Sequence, residues 1–223
     1  MQYITDISEL EDIYGTPAPA SLRKVASYLT PEYRRWIMAS RFCVVSTVGP
    51  DGTDGSPRGD DGPVVHALDD HTLAMPDWRG NNRMDTLRNI VADERVSLMF
   101  MVAGSSLLVR VNGRARITPD ADMCGRFEVK GKHPRSVVVI KITEVYFQCA
   151  RAIMRSQIWE GADQSAGLPT AGDILAAMTD HQEGGASYDD AWQARPSEKL
   201  WQPQTYVHHA IAANRADPSC NKK

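Results

Sequence analysis

The segment Asp77–Arg83, with the sequence DWRGNNR, concentrates hydrogen-bond donors in a way that suits an anion. Its two arginines supply positive charge, while Asn81 and Asn82 supply amide groups that can also cap a helix. Gly80 lets the backbone come close to a ligand. A helix predicted to begin near Asn82 would add free backbone N–H groups and the positive end of its dipole. Together these groups predict a site for a phosphate dianion.

A third arginine is expected at the same place. Arg58 lies in a connection rich in Gly and Asp, and this connection can lie beside the strand that precedes the donor segment. Its guanidinium would then face the same anion as Arg79 and Arg83. The alternative is an ordinary solvated helix start, because an asparagine cap with flanking arginines is common. The cluster favours a site, since it has more donors than a cap needs. Trp78 fits either a core position or a stacking surface.

The elements that must position this segment are mostly strands. Six runs rich in β-forming residues are bounded by turn residues. They are Phe42–Gly49, Val64–Leu68, His71–Pro76, Arg95–Val102, Ser106–Thr118 and Ser136–Cys149. Short polar connections, among them Gly49–Ser56, imply antiparallel neighbours. The exception is a helix predicted over Asn82–Asp93, between the third and fourth strands. Closing six such strands into a small barrel would remove exposed sheet edges.

Helices are predicted on both sides of this barrel. Their predicted spans are Ser21–Leu29, Glu32–Ser40, Pro119–Phe127 and a helix ending at Met178. Thr30 and Thr170 are the expected N-caps of the second and last of these helices. We therefore predict one domain in three parts: a helical segment over 1–40, the barrel over 41–160 and a helical extension over 161–223, which could serve as a lid or a dimer arm.

Composition and charge exclude several classes of protein. Hydrophobic residues make up 42% of the chain and charged residues 24%, which is ordinary for a globular protein with a buried core. The formal net charge of -3 argues against nucleic acid or an anionic membrane as a partner. Four cysteines without metal-ligand spacing, and no secretory signal, indicate reduced thiols in the cytoplasm. His208 and His209 are interpreted as a surface pair, so no metal site is predicted.

Several motifs together resemble a known family. They are SPRGD at 56–60, LAMPDWRGNNRMDTLRNI at 73–90, RVSLMF at 95–100, LLVRVNGRARI at 107–117 and VYFQCARAIMRSQIW at 145–159. In this order they resemble the FMN-binding split-barrel proteins related to pyridoxamine 5′-phosphate oxidase. The resemblance covers Ser21 to Asp180, and PDWRGNNR followed by LRNI is its most specific part. It is closer to an oxidase-like branch of flavoproteins than to the vitamin-making oxidases themselves.

The resemblance implies a mainly β fold, a six-stranded antiparallel Greek-key split barrel with flanking helices. It also implies a homodimer with FMN bound at the subunit interface. The FMN phosphate would be held by Arg58, Arg79, Asn81, Asn82 and Arg83. The backbone at Met75, Pro76, Asp77 and Trp78 would pass the flavin ring or its ribityl chain. Arg155, Ser156 and Trp159 would reach the flavin from the partner subunit, although a surface arginine and a helix-packing tryptophan explain this group equally well.

The implied activity is that of an FMN-dependent oxidoreductase. It would transfer a hydride or two electrons to or from a small organic substrate, with NADH or NADPH as a candidate electron donor. No catalytic residue is predicted, because the flavin itself supplies the electronic chemistry. The chain lacks a counterpart of the arginine-rich motif that binds substrate phosphate in the vitamin-making oxidases, so pyridoxamine phosphate is not expected as substrate. Two alternatives stay open: a flavin-binding protein for storage, sensing or electron relay, and a barrel that holds deazaflavin or haem.

Overall fold

The computed structural model describes residues 1–78, 80–161 and 163–194. It contains seven strands in this part of the chain. The strands are β1 Phe42–Gly49, β2 Gly52–Gly59, β3 His66–Ala67, β4 Thr72–Asp77, β5 Arg95–Met101, β6 Leu108–Thr118 and β7 Ser136–Gln148. They form one antiparallel sheet in the order β2-β1-β5-β6-β7-β4-β3. The predicted mainly antiparallel β fold is confirmed, with one strand more than expected.

The additional strand is β2, which corrects the interpretation of Gly49–Ser56 as a connection. Its Gly, Asp and Pro residues are typical of turns and disfavour a strand. It forms because it follows a tight turn and pairs with β1 along its whole length, from Gly49↔Gly52 to Phe42↔Gly59. An edge strand also tolerates Pro57, whose missing N–H can face away from the ladder. Pairing with a strong neighbour therefore overrides local propensity here.

Strands β6 and β7 join the two halves of the sheet. They pair with each other from Leu108↔Gln148 to Thr118↔Val137, with a register shift between Asn112 and Gly113 that leaves Thr143 on β7 without a partner in the ladder. The first part of β6 also pairs with β5, and the first part of β7 pairs with β4, so the two halves are strongly staggered. Side chains from β1 and β4, near opposite ends of the sheet, share one apolar cluster. The sheet must therefore curl round this cluster as a split barrel.

Eight helices accompany the strands within the described residues. Their bounds are α1 Ile7–Tyr14, α2 Pro19–Arg23, α3 Pro31–Met38, α4 Asp85–Ala92, α5 Ala121–Gly125, α6 Arg151–Ser156, α7 Ala171–Met178 and α8 Ala186–Gln193. Thr30 and Thr170 are confirmed as N-caps, since their hydroxyls accept the backbone N–H groups of Tyr33 and Asp173. None of these helices is long and apolar enough to cross a membrane.

Two helix predictions need correction. The helix predicted from Ser21 to Leu29 is only α2, because the chain then extends and Ala26 bridges to Val145. The helix predicted from Asn82 begins at Asp85, with Met84 at its N-cap. Asn82 has a φ of 61°, a left-handed conformation that asparagine tolerates better than most residues. Asn82 therefore shapes the loop before α4 and does not cap the helix.

Candidate functional site

One side of the barrel is closed by side chains in place of a backbone ladder. The Arg58 guanidinium on β2 donates a hydrogen bond of 2.7 Å to the Asp77 carboxylate at the end of β4. The two side chains are 25% and 14% exposed, so the ion pair is largely shielded from water. The Nε atom of Arg58 is buried and has no hydrogen-bond partner among the described residues. Sequence reasoning expected Arg58 beside this strand, and the structure places it there.

A second side-chain hydrogen bond joins the same two strand ends. The indole N–H of Trp78 donates a hydrogen bond of 3.0 Å to the carboxylate of Asp60, just beyond β2. We call Arg58, Asp60, Asp77 and Trp78 the seam, because their side chains join the ends of β2 and β4. Asp60 was missing from the predicted site residues. Its place in the SPRGD motif, two residues from Arg58, was the available signal.

Strand β4 reaches the seam with its last two residues, Pro76 and Asp77. The carbonyl of Asp77 accepts the backbone N–H of Arg135, so the backbone groups of Asp77 face β7. Because these directions alternate along a strand, Pro76 faces the opposite edge, where its missing N–H breaks no ladder. Strand β3 covers that edge only at Leu73 and Ala74. Pro76 thus lies beyond the end of β3, but it is buried.

Met75 contributes to the site differently from its neighbours. Its side chain is 4% exposed and packs in the barrel core. It also lines a small internal cavity together with Arg58 and with residues of α4 and three other strands. Any contact between Met75 and a ligand outside the barrel must therefore involve its backbone alone.

The loop between β4 and α4 holds the remaining predicted donors that the structure describes. The Asn81 side chain accepts the backbone N–H of Arg83 at 3.0 Å, a turn closed by the asparagine itself. The Arg83 guanidinium donates to the Asp85 carboxylate at 2.5 Å and is 79% exposed. The hydrogen bond with Asp85 raises the pKa of Arg83, which keeps it cationic. Arg79, a predicted phosphate ligand, lies outside the described residues, as do His208 and His209.

Arg135 is a donor at this loop that sequence reasoning missed. Its guanidinium donates to the side-chain oxygen of Asn82 at 3.3 Å. It stands immediately before β7, whose first residue pairs with Asp77. Only this strand register brings residue 135 to the loop, so no local motif could have identified it.

The negative charges of carboxylates offset the positive charges of the arginines around the start of α4. Asp54 on β2 accepts the hydroxyl of Thr86, which is 6% exposed, and Asp85 lies in the first turn of the helix. An acidic residue in a first turn complements the helix dipole. Arg58 and Arg83 therefore face acidic partners already, and an incoming anion must compete with Asp85 for Arg83.

The second predicted group lies elsewhere in the same chain. Trp159 donates its indole N–H to the carbonyl of Ser105 at 2.8 Å, in the turn between β5 and β6. The Ser156 hydroxyl bonds to Ile153 within its own helix, and Arg155 is exposed. This turn follows the end of β5 opposite to the end that α4 leads into. The described contacts therefore do not bring this group together with the seam.

His66 lies near the seam but has a structural environment. Its ring is 4.9 Å from the Phe127 ring. Burial lowers its pKa, and the nearby charge of Asp60 opposes this effect only in part. His66 is therefore mostly neutral near pH 7. Among the described residues, no three His, Cys, Asp or Glu side chains are grouped so that they could hold a metal ion.

Comparisons with known proteins agree with this fold. The family model described as pyridoxamine 5′-phosphate oxidase matches residues 29–149, which is more than half of the chain. The chain therefore belongs to the pyridoxamine 5′-phosphate oxidase family, as its motifs predicted. No curated protein matches it.

Solved structures with a similar fold come from several bacteria. HupZ of Group A Streptococcus is 18% identical, with 60% of this chain and 98% of HupZ aligned at a TM-score of 0.45. A provisionally named pyridoxamine 5′-phosphate oxidase from Lactobacillus delbrueckii is 24% identical, with coverage of 54% and 95% and a TM-score of 0.44. General stress protein 26 of Bacillus anthracis is 20% identical, with coverage of 51% and 88% and a TM-score of 0.38.

Proposed function

We propose that the chain binds FMN at the seam and at the loop before α4, and that it is an FMN-dependent oxidoreductase acting on a small organic substrate. The observation that carries this proposal is the Arg58 guanidinium. Asp77 fixes it at the seam, while its buried Nε–H has no acceptor among the described residues. A buried donor of this kind needs an acceptor, and an oxygen of a bound cofactor would supply one.

The donors near the seam fit a phosphate group. Arg58 and Arg83 provide guanidinium groups, and the first turn of α4 provides backbone N–H groups and a favourable dipole. Arg83 would have to leave Asp85, but this pair is exposed and a surface ion pair contributes little free energy. Arg79 adjoins the loop in sequence and would add a further cation. A phosphate can therefore replace Asp85 as the partner of Arg83 at small cost.

Bound FMN would supply hydride or two-electron transfer at its ring. The chain itself would position the ring and exclude water. The half-buried Trp78 offers an apolar surface for this purpose. We propose no catalytic acid or base from this chain. Because no substrate contact is defined, NADH, NADPH and a small organic molecule are all candidate reductants.

We further propose that two copies of the chain complete the site. The segment that follows β7 exposes Met154, Ile158 and Trp159, at 63%, 57% and 38%. An exposed apolar patch of this kind is typical of a protein interface. In a homodimer this segment, with Arg155 and Ser156, could reach the seam of the partner, which would reconcile its distant position in its own chain with a role in binding FMN.

The phosphate assignment is tested by replacing both Arg79 and Arg83 with alanine. Loss of two charge-assisted hydrogen bonds should weaken FMN binding at least about tenfold, measured by titration calorimetry. Arg95 and Arg116 provide a matched control, since both are exposed arginines paired with a carboxylate. Replacing this pair should leave FMN affinity unchanged. Equal affinity in all three proteins would contradict the phosphate site.

The class of cofactor and the activity need separate measurements. The absorption spectrum of the isolated protein distinguishes flavin from deazaflavin and from haem. If flavin is present, bleaching by NADH or NADPH without oxygen supports the oxidoreductase, whereas a flavin that stays oxidised with every donor supports a storage or sensing protein. Mixed dimers then test the partner contribution, because Arg155→Ala should weaken only the FMN site of the opposite subunit.

A further inference from the structure

We infer that Asp60 is a positioning residue, which holds the indole of Trp78 as a flat stacking surface for the aromatic ring of the cofactor. The inference rests on the proposed function, because it assumes that a flavin lies at the seam. It assigns a role to two residues, in the motifs SPRGD and PDWRGNNR, that phosphate binding does not explain.

Trp78 does not behave as a core residue. Neither apolar cluster of the described residues includes it, and its side chain is only partly buried. It directly follows Asp77, the last residue of β4, at the edge where β3 has already ended. The next described residue, Gly80, is exposed, and no described residue beyond its chain neighbours lies within 4 Å of the place that its Cβ atom would take. A large, partly exposed aromatic side chain thus lies next to a segment at the protein surface.

Asp60 is itself held firmly, so it can fix the ring. One oxygen of its carboxylate accepts the backbone N–H of Asp61 at 2.7 Å, and the other accepts the Trp78 indole at 3.0 Å. Its backbone N–H donates to the carbonyl of Arg41 at 3.0 Å. The backbone of Asp60 and one oxygen of its carboxylate are therefore held by other groups, and the second oxygen holds the indole.

The direction of the indole hydrogen bond explains why a stacking surface results. The indole N–H lies in the plane of the ring, and it is the only polar group of the side chain. A partner at that edge fixes the ring and leaves its faces to other contacts. Aromatic rings pack on such faces with an offset, and a surface fixed in advance loses less conformational entropy when the ligand binds. A flavin ring has the flat aromatic shape that this surface fits.

The test uses four variants of the full chain: Trp78→Phe, Asp60→Ala, Asp60→Asn and, as a control, Trp36→Phe on α3. The measurements are FMN affinity and the fluorescence of bound FMN, which an indole in contact with the flavin ring quenches by electron transfer. Trp78→Phe and Asp60→Ala should each weaken FMN binding about two- to tenfold and make bound FMN brighter. Asp60→Asn should behave nearly as the wild type, because its amide oxygen can accept the indole N–H. Trp36→Phe should change neither quantity.

A combined variant separates positioning from a general structural role. If Asp60 acts through the indole, Asp60→Ala should add nothing once Trp78 is phenylalanine. Full additivity of the two substitutions, or unchanged fluorescence in Trp78→Phe, overturns the inference while FMN binding by the wild type still supports the proposed function. Failure of the wild type to bind FMN overturns both. Should Asp60→Ala not fold, Asp60→Asn and Trp78→Phe give the same decision through the fluorescence alone.

Discussion

The barrel joins neighbouring strands in two contrasting ways. Strands β6 and β7 pair along all 11 residues of β6, and their inward side chains are apolar and fully buried, as at Val111 and Val145. The seam instead joins the ends of β2 and β4 through two side-chain hydrogen bonds, Arg58 to Asp77 and Trp78 to Asp60. The ladder satisfies its backbone groups internally, whereas the seam leaves the buried Nε–H of Arg58 without an acceptor among the described residues.

This difference separates stability from binding. A continuous ladder with a buried apolar face can lose few of its hydrogen bonds without unfolding, because its backbone groups have no other partners. The seam consists of polar groups that a ligand can contact or replace. We therefore expect substitutions in the ladder to change mainly the free energy of unfolding, and substitutions at the seam to change mainly the affinity for FMN.

The largest effect is expected from Gly113→Val in the ladder. A Cβ atom at Gly113 would lie 2.2 Å from the backbone carbonyl oxygen of Lys141 on β7, so the two strands would have to separate. The free energy of unfolding should fall by about 3 kcal/mol or more, measured by chemical denaturation. Gly55→Val on β2 is the control, since its Cβ atom would meet nothing within 4 Å, and it should change stability by less than about 0.5 kcal/mol. Equal stability of the two variants would contradict the prediction that the close contact between β6 and β7 excludes a side chain at position 113.

A smaller loss of stability is expected from Arg58→Ala at the seam. It leaves the shielded Asp77 carboxylate without its guanidinium, which should lower the free energy of unfolding by about 1 to 3 kcal/mol and weaken FMN binding at least about tenfold. The Arg34–Asp70 pair has the same 2.7 Å separation but is 37% and 64% exposed. Arg34→Ala should therefore destabilise by less than about 1 kcal/mol, with FMN affinity unchanged. Similar losses of FMN affinity in both variants would contradict a special role of the seam in binding.

An effect that is absent at neutral pH concerns the buried inner face of β1. Burial raises the pKa of the Cys43 thiol to about 12 from its ordinary value of 9.0, although the charge of Arg58 opposes this. An unfolded chain releases this proton above pH 9 while the folded chain keeps it. Stability should therefore fall as the pH rises from 9 towards 12, by up to about 1.4 kcal/mol per unit.

Comparing the wild type with Cys43→Ala isolates this pH effect. The variant should be less stable at neutral pH but should lack this part of the alkaline decline in denaturation experiments. Cys149→Ala, which alters an exposed thiol, should keep the decline. A wild-type slope that survives in Cys43→Ala would show that other groups, and not Cys43, cause the alkaline decline.

Most of the fold could be predicted because its strands carry their own signal. The apolar run of β1 has the bounds that its turn residues predicted, Phe42 to Gly49. By contrast, β2 forms only because β1 lies beside it, and no pattern of its own residues indicates a strand. The start of α4 was placed three residues early, because a rule that selects asparagine as a cap does not see the left-handed backbone at Asn82.

The motif indicated a candidate site but not the partners of its residues. The sequence predicted that the donors before α4 belong together, and this stays a prediction. It could not indicate which carboxylate each arginine meets, because Arg58 and Asp77 are 19 residues apart and meet only when the barrel closes. Arg135 and Asp60 were missed for the same reason. Tertiary contacts, rather than local spacing, determine these partners.

The proline near the end of β4 has a further consequence for the behaviour of the protein in a crowded cell. A strand edge with free N–H groups can take up a strand from another chain, and such additions begin intermolecular aggregation. Pro76 lies where β3 no longer pairs with β4, but it is buried and has no N–H. At this position a second chain would find neither access nor a donor, so the residue protects the chain against polymerisation.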